Sequence, residues 1–161
     1  MNDSEAVQLL LAHRAIEQQI YRMGYALEEG NFELVGELLK HATLGADMIG
    51  RRVFTGKAEI KRQYERTNIT YPGKGRATRE MYDNVVIDID LAAGTAKSTT
   101  MYTVAQQIPD SGEPFALLVA GRYVDEWAVI EGNWHWTDRF VEVQFKNDLN
   151  RHMHSGSQPY N

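Results

Sequence analysis

Residues 120–145 constrain the fold of this chain more than any other stretch. β-Branched and aromatic residues, among them all three tryptophans, run on both sides of a turn at 131–133 centred on Gly132, and this pattern predicts a β-hairpin. The apolar area of the tryptophans has to be covered by a second layer, and the N-terminal third is the part of the chain with helical patterns. We therefore expect the hairpin to form one wall of the core, and a wall this rich in aromatic side chains can also line a pocket.

The composition is that of an ordinary globular domain, and it argues against several classes of function. The 161 residues are enough to bury one core, and we expect a single domain over 1–150 followed by a polar, flexible tail at 151–161. The chain has no apolar run near the roughly 20 residues of a membrane span and no basic region before its first apolar residues, so we expect a cytoplasmic protein without a membrane partner. A net charge of −5 opposes binding to nucleic acid, and the absence of cysteine removes disulfides and thiolate chemistry.

Helical patterns occupy the N-terminal third. Apolar residues recur at helical spacing over 4–29, a second amphipathic helix begins at Phe32, and a third runs from 56 to about 67 with Thr55 as its N-cap. Residues 46–54 between them are predicted to form a short strand or an extended link. Two consecutive helices so close in sequence must pack against each other as a hairpin.

The first helix carries a second stripe beside its apolar face. This stripe lies about 100° around the cylinder from the first, since each residue advances the helix by that angle, and it holds Tyr21, Tyr25 and Glu28. Such a stripe borders the core, so it could bring two phenols and a carboxylate to the rim of a cavity. The plainer interpretation is a boundary stripe with Glu28 in solvent.

From Thr78 onward the period changes from helical to strand-like. Strands are predicted at 78–90, 96–108 and 115–130, before the last strand of the hairpin, with Gly121 marking a bulge or kink. A loop containing proline and glycine at 68–77 separates them from the helices. Three helices followed by a four-stranded antiparallel meander predict an α+β fold, in which a curved sheet wraps the helices into a cone with a pocket for a small, largely apolar molecule.

The alternation of the first strand predicts which residues face the cone. If Glu80, Tyr82 and Asn84 point inward, the other parity points outward. That parity holds Val85, Ile87 and Ile89. An exposed apolar row of this kind is more often an oligomer interface than bare surface, so we expect a homodimer or higher oligomer through the outer face of the sheet.

This order of elements resembles the nuclear transport factor 2-like superfamily, and within it the SnoaL-like branch. The resemblance covers roughly residues 10–150 and is carried by the segments 16–39, 55–60, 81–90 and 120–141. It implies a cystatin-like cone, with three N-terminal helices packed in the concave face of a curved antiparallel sheet. Relatives in this branch include scytalone dehydratase, polyketide cyclases and the β subunits of ring-hydroxylating dioxygenases.

The resemblance also implies positions for catalytic residues. Dehydratase-like relatives carry an aspartate near the end of the first helix, and a histidine at the start of the first long strand, four residues before an asparagine. Here Asn84 matches the asparagine, whereas Glu28 stands at the aspartate position and Glu80 at the histidine position. The histidine base of that chemistry is therefore missing from its place.

Two carboxylates could substitute for the aspartate and histidine. If Glu28 and Glu80 both face the cone, burial and mutual repulsion raise at least one pKa and give a neutral acid beside an ionised base. Tyr25, Tyr82 or Tyr102 could then donate a hydrogen bond to a developing oxyanion. The competing interpretation is purely structural, with Glu80 paired to an arginine. The candidates for that partner are Arg79, Arg122 and Arg139.

Other side chains of the sheet are further candidates. His135 lies between Trp134 and Trp136, so it becomes a pocket acid or base if the two rings point outward, and parity alone leaves this open. Arg139 could hold a substrate carboxylate, or it could pair with a neighbouring acid. The catalytic candidates are thus Glu28, Glu80, Tyr25 and His135. The predicted substrate-binding residues are Tyr21, Tyr82, Asn84, Tyr102, Tyr123, Trp127, Trp136 and Arg139.

No cofactor and no metal are implied by the sequence. The five histidines show no ligand spacing, and the pair at His152 and His154 is expected to lie in a solvated tail. One hypothesis is a cofactor-free lyase or isomerase, resembling a dehydratase, which acts on a small cyclic or aromatic-type substrate by carboxylate acid/base chemistry. The alternative is a non-catalytic binding or structural subunit, comparable to dioxygenase β subunits, and the missing histidine favours it.

Overall fold

A computed structural model describes residues 2–47 and 53–154 of the chain. Within these ranges the chain forms three helices and six strands, and this confirms the predicted α+β class with the helices at the N-terminus. In chain order they are α1 (Asp3–Glu29), α2 (Phe32–Leu38), β1 (Thr43–Ala46), β2 (Phe54–Thr55), α3 (Gly56–Thr67), β3 (Thr78–Asp90), β4 (Thr95–Gln106), β5 (Ala116–Ile130) and β6 (Asn133–Lys146).

The sheet is mixed and larger than the predicted antiparallel meander. Strands β3 to β6 form that meander, but the order across the sheet is β2-β1-β6-β5-β4-β3, and β1 pairs with β6 in parallel. The two additional strands have four and two residues, too few to show the alternation that identifies a strand in a sequence. The predicted link at 46–54 therefore begins and ends in strands, and its residues 48–52 lie outside the described part of the chain.

The helices begin and end largely where their sequence signals predict. Gly30, in the left-handed region with φ 68°, ends α1, and the side chain of Asn31 accepts a hydrogen bond from the amide of Leu34 at the start of α2. Thr55 occupies the N-cap position of α3, but its side chain makes no capping bond. Instead the carboxylate of Glu59 accepts a hydrogen bond from the Thr55 amide at 2.9 Å.

The aromatic hairpin is a wall of the core, as predicted. Glu131 and Gly132 both have positive φ, at 51° and 80°, the geometry of a tight turn between twisted strands. Trp127 and Trp136 are fully buried and their ring centroids lie 4.0 Å apart. The two rings belong to the same core cluster as Ile16 and Ile20 of α1.

A bulge in β3 overturns the predicted parity of that strand. The pairing with β4 shifts between Asp83 and Val86, and Asn84 adopts a left-handed conformation with φ 47°. Val85, Ile87 and Ile89 consequently lie on the same face as Glu80 and Tyr82, where they pack against the core. The prediction that Val85, Ile87 and Ile89 form an exposed outer row is therefore wrong.

The end of the chain also departs from expectation. Leu149, His152 and Met153 are buried, and the His154 amide donates to the Thr67 carbonyl oxygen at 3.0 Å. The part of the predicted tail that the structure describes is thus packed against the end of α3, and residues 155–161 lie outside the described ranges. None of the helices in the described ranges combines the length and apolar character needed to cross a bilayer.

Candidate active site in an interior cavity

A cavity of about 120 Å³ lies between the helices, the inner face of the sheet and the C-terminal segment 149–154. A dry cavity of roughly 150 Å³ is known to hold a benzene molecule, so this one suits a ligand with a single small ring. Its walls are mostly apolar, with a small group of polar side chains at one end. The lining residues are Leu27, Leu44, Ala46, Gln63, Tyr64, Thr67, Asn68, Arg76, Glu80, Tyr102, Val104, Val119, Tyr123, Val141, His152 and Met153.

Glu80 is the carboxylate of this cavity. Its side chain is 1% exposed, and its Oε1 accepts a hydrogen bond from Nη1 of Arg76 at 2.7 Å. The second oxygen, Oε2, is buried and has no hydrogen-bond partner. Burial raises the pKa of Glu80, and the positive charge of Arg76 opposes that rise only in part. The result is a carboxyl group of the cavity lining with one oxygen held by Arg76 and the other without a partner.

His152 lies on the other side of the same guanidinium. It is 5% exposed, and its Nε2 lies 2.7 Å from Nη2 of Arg76. An arginine can only donate, so Nε2 must accept, and the proton of the neutral ring must sit on Nδ1. Burial and the charge of Arg76 lower the pKa of His152 well below its usual range, and Nδ1 has no partner. His152 thus presents a buried, unpaired N–H donor.

The loop at 68–77 brings Arg76 to this position. The Arg76 amide donates to the carbonyl oxygen of Glu28 at 2.9 Å, which fixes the loop against the end of α1. Gly75 has φ 56°, and a Cβ there would come within 2.2 Å of the same oxygen. Glycine is therefore required beside Arg76, because any side chain would push the loop away from the helix.

Buried tyrosines form a further part of the polar lining, beside Gln63, Thr67 and Asn68. The Tyr102 and Tyr123 rings stack with centroids 4.3 Å apart, and the Tyr82 ring contacts Tyr123 edge-on at 5.5 Å. Burial raises the pKa of Tyr64 and Tyr123, so both phenols stay protonated at neutral pH. Tyr102 and Tyr123, two of the predicted substrate-binding residues, line the cavity, and the Tyr102 hydroxyl donates to the Glu142 carbonyl oxygen at 3.2 Å.

Glu28 lies outside the cavity. Its Oε1 accepts a hydrogen bond from the Glu80 amide at 2.7 Å, and its Oε2 lies 3.3 Å from the Arg79 guanidinium. The expectation that Glu28 faces the interior of the cone is wrong, because its carboxylate instead supports the backbone of β3. Tyr21 and Tyr25 join it in a surface groove of about 440 Å³ between α1 and β3, where Tyr25 is 63% exposed. Tyr82 and Glu80 contribute to the same groove.

Four further candidates also lie away from the cavity. Asn84 is exposed in the bulge, where its amide contacts the sulfur of Met101. Trp136 points inward, so His135 does not reach the pocket, and its ring makes an edge contact with His41 at 4.9 Å between centroids. Trp127 belongs to the closed part of the core with Trp136, and its indole N–H donates to Ser98 Oγ at 2.9 Å.

Arg139 forms a fully buried ion pair rather than a free anion site. Its Nε and Nη2 donate to both carboxylate oxygens of Asp125, at 2.8 and 2.9 Å. The guanidinium also lies 4.2 Å from the centroid of the Tyr123 ring. Of the two predicted roles, the geometry favours the ion pair. The predicted partners of Glu80 were wrong, since Arg76 takes that place.

Sequence reasoning missed Arg76 and His152. Arg76 was hidden in a loop assigned as a connector, and His152 in a segment assigned as a tail. A usable signal was present in the apolar Leu149 and Met153 beside His152, which indicate a segment that packs.

Among the described residues, no three or more metal-ligating side chains come together.

Comparisons with known proteins address the family and the fold. A family model described as a SnoaL-like domain matches residues 8–139. Similar solved structures from Novosphingobium aromaticivorans include an NTF2-like protein with a cystatin-like fold, at 15% identity and a TM-score of 0.71 over 92% of each chain. A proposed scytalone dehydratase has 20% identity and a TM-score of 0.67 over 92% of this chain and 91% of its own.

A third similar structure is the β subunit of a proposed aromatic-ring-hydroxylating dioxygenase, also from Novosphingobium aromaticivorans. It shares 14% identity with this chain, with a TM-score of 0.66 over 86% of this chain and 93% of its own. A search of curated proteins finds no match. At these identities the structural likeness establishes the fold, and the chemistry has to be argued from the cavity.

Proposed function

The chain belongs to the SnoaL-like domain family, and from that membership we propose that it is a cofactor-free lyase or isomerase acting on a small cyclic carbonyl compound. One observation carries the proposal. Glu80 Oε2 and His152 Nδ1 are both buried and unpaired, the two residues line the same cavity, and Arg76 is fixed between their side chains. An acceptor and a donor held in this way are complementary to a C–H bond and the carbonyl group beside it.

Glu80 is assigned as the general base. A base works best when its pKa lies near the working pH, and burial raises the pKa of Glu80 in that direction. The ion pair with Arg76 keeps a fraction of the carboxyl ionised, so that Oε2 can remove a proton. Glu28, the other carboxylate among the catalytic candidates, then acts only by fixing the backbone of Glu80.

His152 is assigned as the donor to the developing oxyanion. When Glu80 removes a proton from the carbon beside the carbonyl, the electron pair of that C–H bond moves toward the oxygen, which gains negative charge. The neutral Nδ1–H of His152 can stabilise this charge, a role that neutral imidazoles perform in other enzymes. The proton then returns to another carbon, which is isomerisation, or leaves with a β-hydroxyl group as water, which is dehydration.

Exchange of substrate hydrogen with deuterium oxide tests the first step directly. Cyclohexanone and 3-hydroxycyclohexanone, each with a single small ring, serve as probes, and NMR follows the loss of signal at the carbon beside the carbonyl. We expect exchange with the wild type and a loss of about 10²–10⁴-fold with Glu80→Gln. Glu126→Gln, the same change at an exposed position, is the matched control and should exchange like the wild type. Equal rates for wild type and Glu80→Gln would refute the assignment.

A non-catalytic binding or subunit protein is the second candidate. The ion pair between Arg76 and Glu80 favours it, because a buried pair of this geometry also occurs for purely structural reasons. This candidate predicts ligand-induced NMR shifts of the residues that line the cavity, without hydrogen exchange in the ligand. The same samples therefore distinguish the two functions.

We also propose a homodimer through the outer face of the sheet. Its interface would be formed by other residues than the row at Val85, Ile87 and Ile89. Val86, Met101 and Val124 are exposed side by side on that face. Such a group is more often an interface than bare surface. A monomeric mass by light scattering at micromolar concentration would contradict it.

A further inference from the structure

We propose that Gln106 is a positioning residue that sets the distance between Arg76 and His152. The inference rests on the proposed function for its effect on activity, whereas its effect on His152 can be measured without any substrate. Gln106 is not assigned a contact with the ligand. It acts through the backbones that carry the two polar side chains.

The position of Gln106 in the fold makes this role possible. It is the last residue of β4, pairs with Thr78 and Ala116 in the sheet, and is 5% exposed. Its Nε2 donates to the carbonyl oxygen of Arg76 at 3.0 Å and to that of Arg151 at 3.3 Å. One side-chain amide thus joins the residue that holds Glu80 to the residue that precedes His152.

The two joined segments have no regular structure of their own that would fix their separation. Arg76 lies in the loop between α3 and β3, and Arg151 follows the end of β6. The C-terminal segment is also bonded to the first part of the loop, where Ile69 N donates to the His152 carbonyl oxygen at 3.0 Å and the Tyr71 hydroxyl donates to the Arg151 carbonyl oxygen at 2.5 Å. Those bonds hold the segment to residues 69–71, whereas Gln106 bonds to Arg76 itself. Gln106 spans the distance between the two segments from a rigid strand.

The distance matters because it determines the tautomer of His152. The 2.7 Å contact from Arg76 Nη2 requires Nε2 of His152 to be unprotonated, which places the proton on Nδ1. If the two backbones drift apart, Nε2 loses its donor and either nitrogen can carry the proton. The ring would also move away from a positive charge that lowers its pKa. Gln106 thereby controls whether His152 presents an N–H donor to the cavity.

Substitution by methionine tests this role with a closely matched control. Gln106→Met keeps the length of the side chain and removes the amide, while Gln107→Met makes the same change one residue later, at an exposed position. In ¹⁵N NMR spectra of the imidazole, we expect wild type and Gln107→Met to show one tautomer, with protonated Nδ1. Gln106→Met should show averaged nitrogen shifts and a His152 pKa closer to the usual value. Identical imidazole spectra in all three proteins would overturn the proposal.

The activity readout separates this proposal from the function on which it rests. Deuterium exchange should fall by about tenfold to a hundredfold in Gln106→Met, as expected for a displaced catalytic group. If the wild type shows no exchange but the His152 tautomer still depends on Gln106, the proposed function fails and the positioning role stands. If exchange occurs and the tautomer is unchanged in Gln106→Met, the positioning role fails alone.

The wild-type protein supplies a second reading, which holds even if Gln106→Met does not fold. Amide protons of a buried side chain that are held in hydrogen bonds exchange slowly with solvent. The side-chain NH₂ signals of Gln106 should therefore persist in deuterium oxide long after those of Gln107 have vanished. Equally fast loss of both would overturn the proposal.

Discussion

Removal of the Arg76 guanidinium should destabilise the protein strongly. Removal of the Glu80 charge as well should restore most of the lost stability. Arg76→Met leaves Glu80 as a buried charge without a counterion and leaves Nε2 of His152 without a donor. Arg76→Met/Glu80→Gln removes the positive and the negative charge together. The expected difference between the single and the double variant follows from burial, because the Arg76 side chain is 6% exposed and the Glu80 side chain 1%.

The expected magnitude follows from the cost of breaking a buried pair. Loss of one partner costs about 3–5 kcal/mol, whereas replacement of both by neutral groups is often close to neutral. For a chain of this size, about 1 kcal/mol changes the melting temperature by roughly 2–4 °C, so Arg76→Met should melt roughly 6–20 °C lower than the wild type. The double variant should recover more than half of that difference.

The pH dependence of this loss has a definite sign. Arg76 opposes the raised pKa of Glu80, so its removal raises that pKa further above the value in the unfolded chain. A raised carboxyl pKa gives a contribution to stability that is present at low pH and is lost as the pH rises through the folded-state value. The penalty of Arg76→Met should therefore be smaller at about pH 5 than at about pH 8.

Chemical denaturation of the four proteins of the cycle, at both pH values, measures all of these quantities. The four are the wild type, Arg76→Met, Glu80→Gln and the double variant, and the coupling free energy is the departure from additivity. A penalty below about 1 kcal/mol for Arg76→Met would show that the Glu80 charge is not buried as described. A double variant no more stable than Arg76→Met would refute the pairing itself.

Three further predictions concern His152, a bulge and a buried pair. Because the pKa of His152 is lowered in the folded state, its contribution to stability is lost as the pH falls below the ordinary histidine range. The wild type should therefore lose part of its higher free energy of unfolding relative to His152→Gln, by up to about 1.4 kcal/mol per pH unit in denaturation experiments. Gly121→Ala should destabilise the protein by about 1–3 kcal/mol or more, because a Cβ would lie 1.9 Å from the Glu142 carbonyl oxygen; an unchanged melting temperature would contradict this contact. Arg139→Met should cost about 3–5 kcal/mol in urea denaturation, since it leaves the Asp125 carboxylate buried and unpaired, and a cost below 1 kcal/mol would refute that account.

Much of the architecture could be predicted because its signals are local. The turn at 131–133, the glycine that ends α1 and the bulge at Gly121 are each encoded by a few adjacent residues, and the structure confirms all three. Gly121 shows the physical reason most clearly, because a side chain there would overlap the neighbouring strand. Local signals of this kind do not depend on where the rest of the chain lies.

The inner face of β3 could not be predicted, because its bulge carries no glycine. Asn84 takes the left-handed conformation, which asparagine adopts more readily than most residues but which nothing in the sequence requires. One extra residue then reverses every side chain that follows, so Val85 moved from the outer to the inner face. The strand before the bulge keeps the parity considered in the sequence analysis, and for that reason Glu80 lies on the inner face.

The candidate site could be predicted only in part, because its polar residues come from segments without periodicity. Glu80 lies on a strand and was found, whereas Arg76 and His152 lie on a loop and on the segment after the last strand. Their positions depend on long-range hydrogen bonds, such as that from the Arg76 amide to Glu28, which no local pattern encodes. Glu28 was placed wrongly for the related reason that a helix rim borders both the core and the surface.

The link through Arg76 limits how protons can move in the proposed reaction. A guanidinium stays protonated at any physiological pH, so it cannot pass a proton between Glu80 and His152 as a direct contact between carboxylate and imidazole could. The base and the donor therefore keep separate roles, and Glu80 must return the proton that it removed or release it with a leaving group. Because the carboxyl is buried, return of the removed proton to the substrate competes with its exchange into solvent. Deuterium therefore enters the substrate, as the exchange experiment requires, while an isomerisation in this cavity would still transfer part of the substrate's own hydrogen to the product.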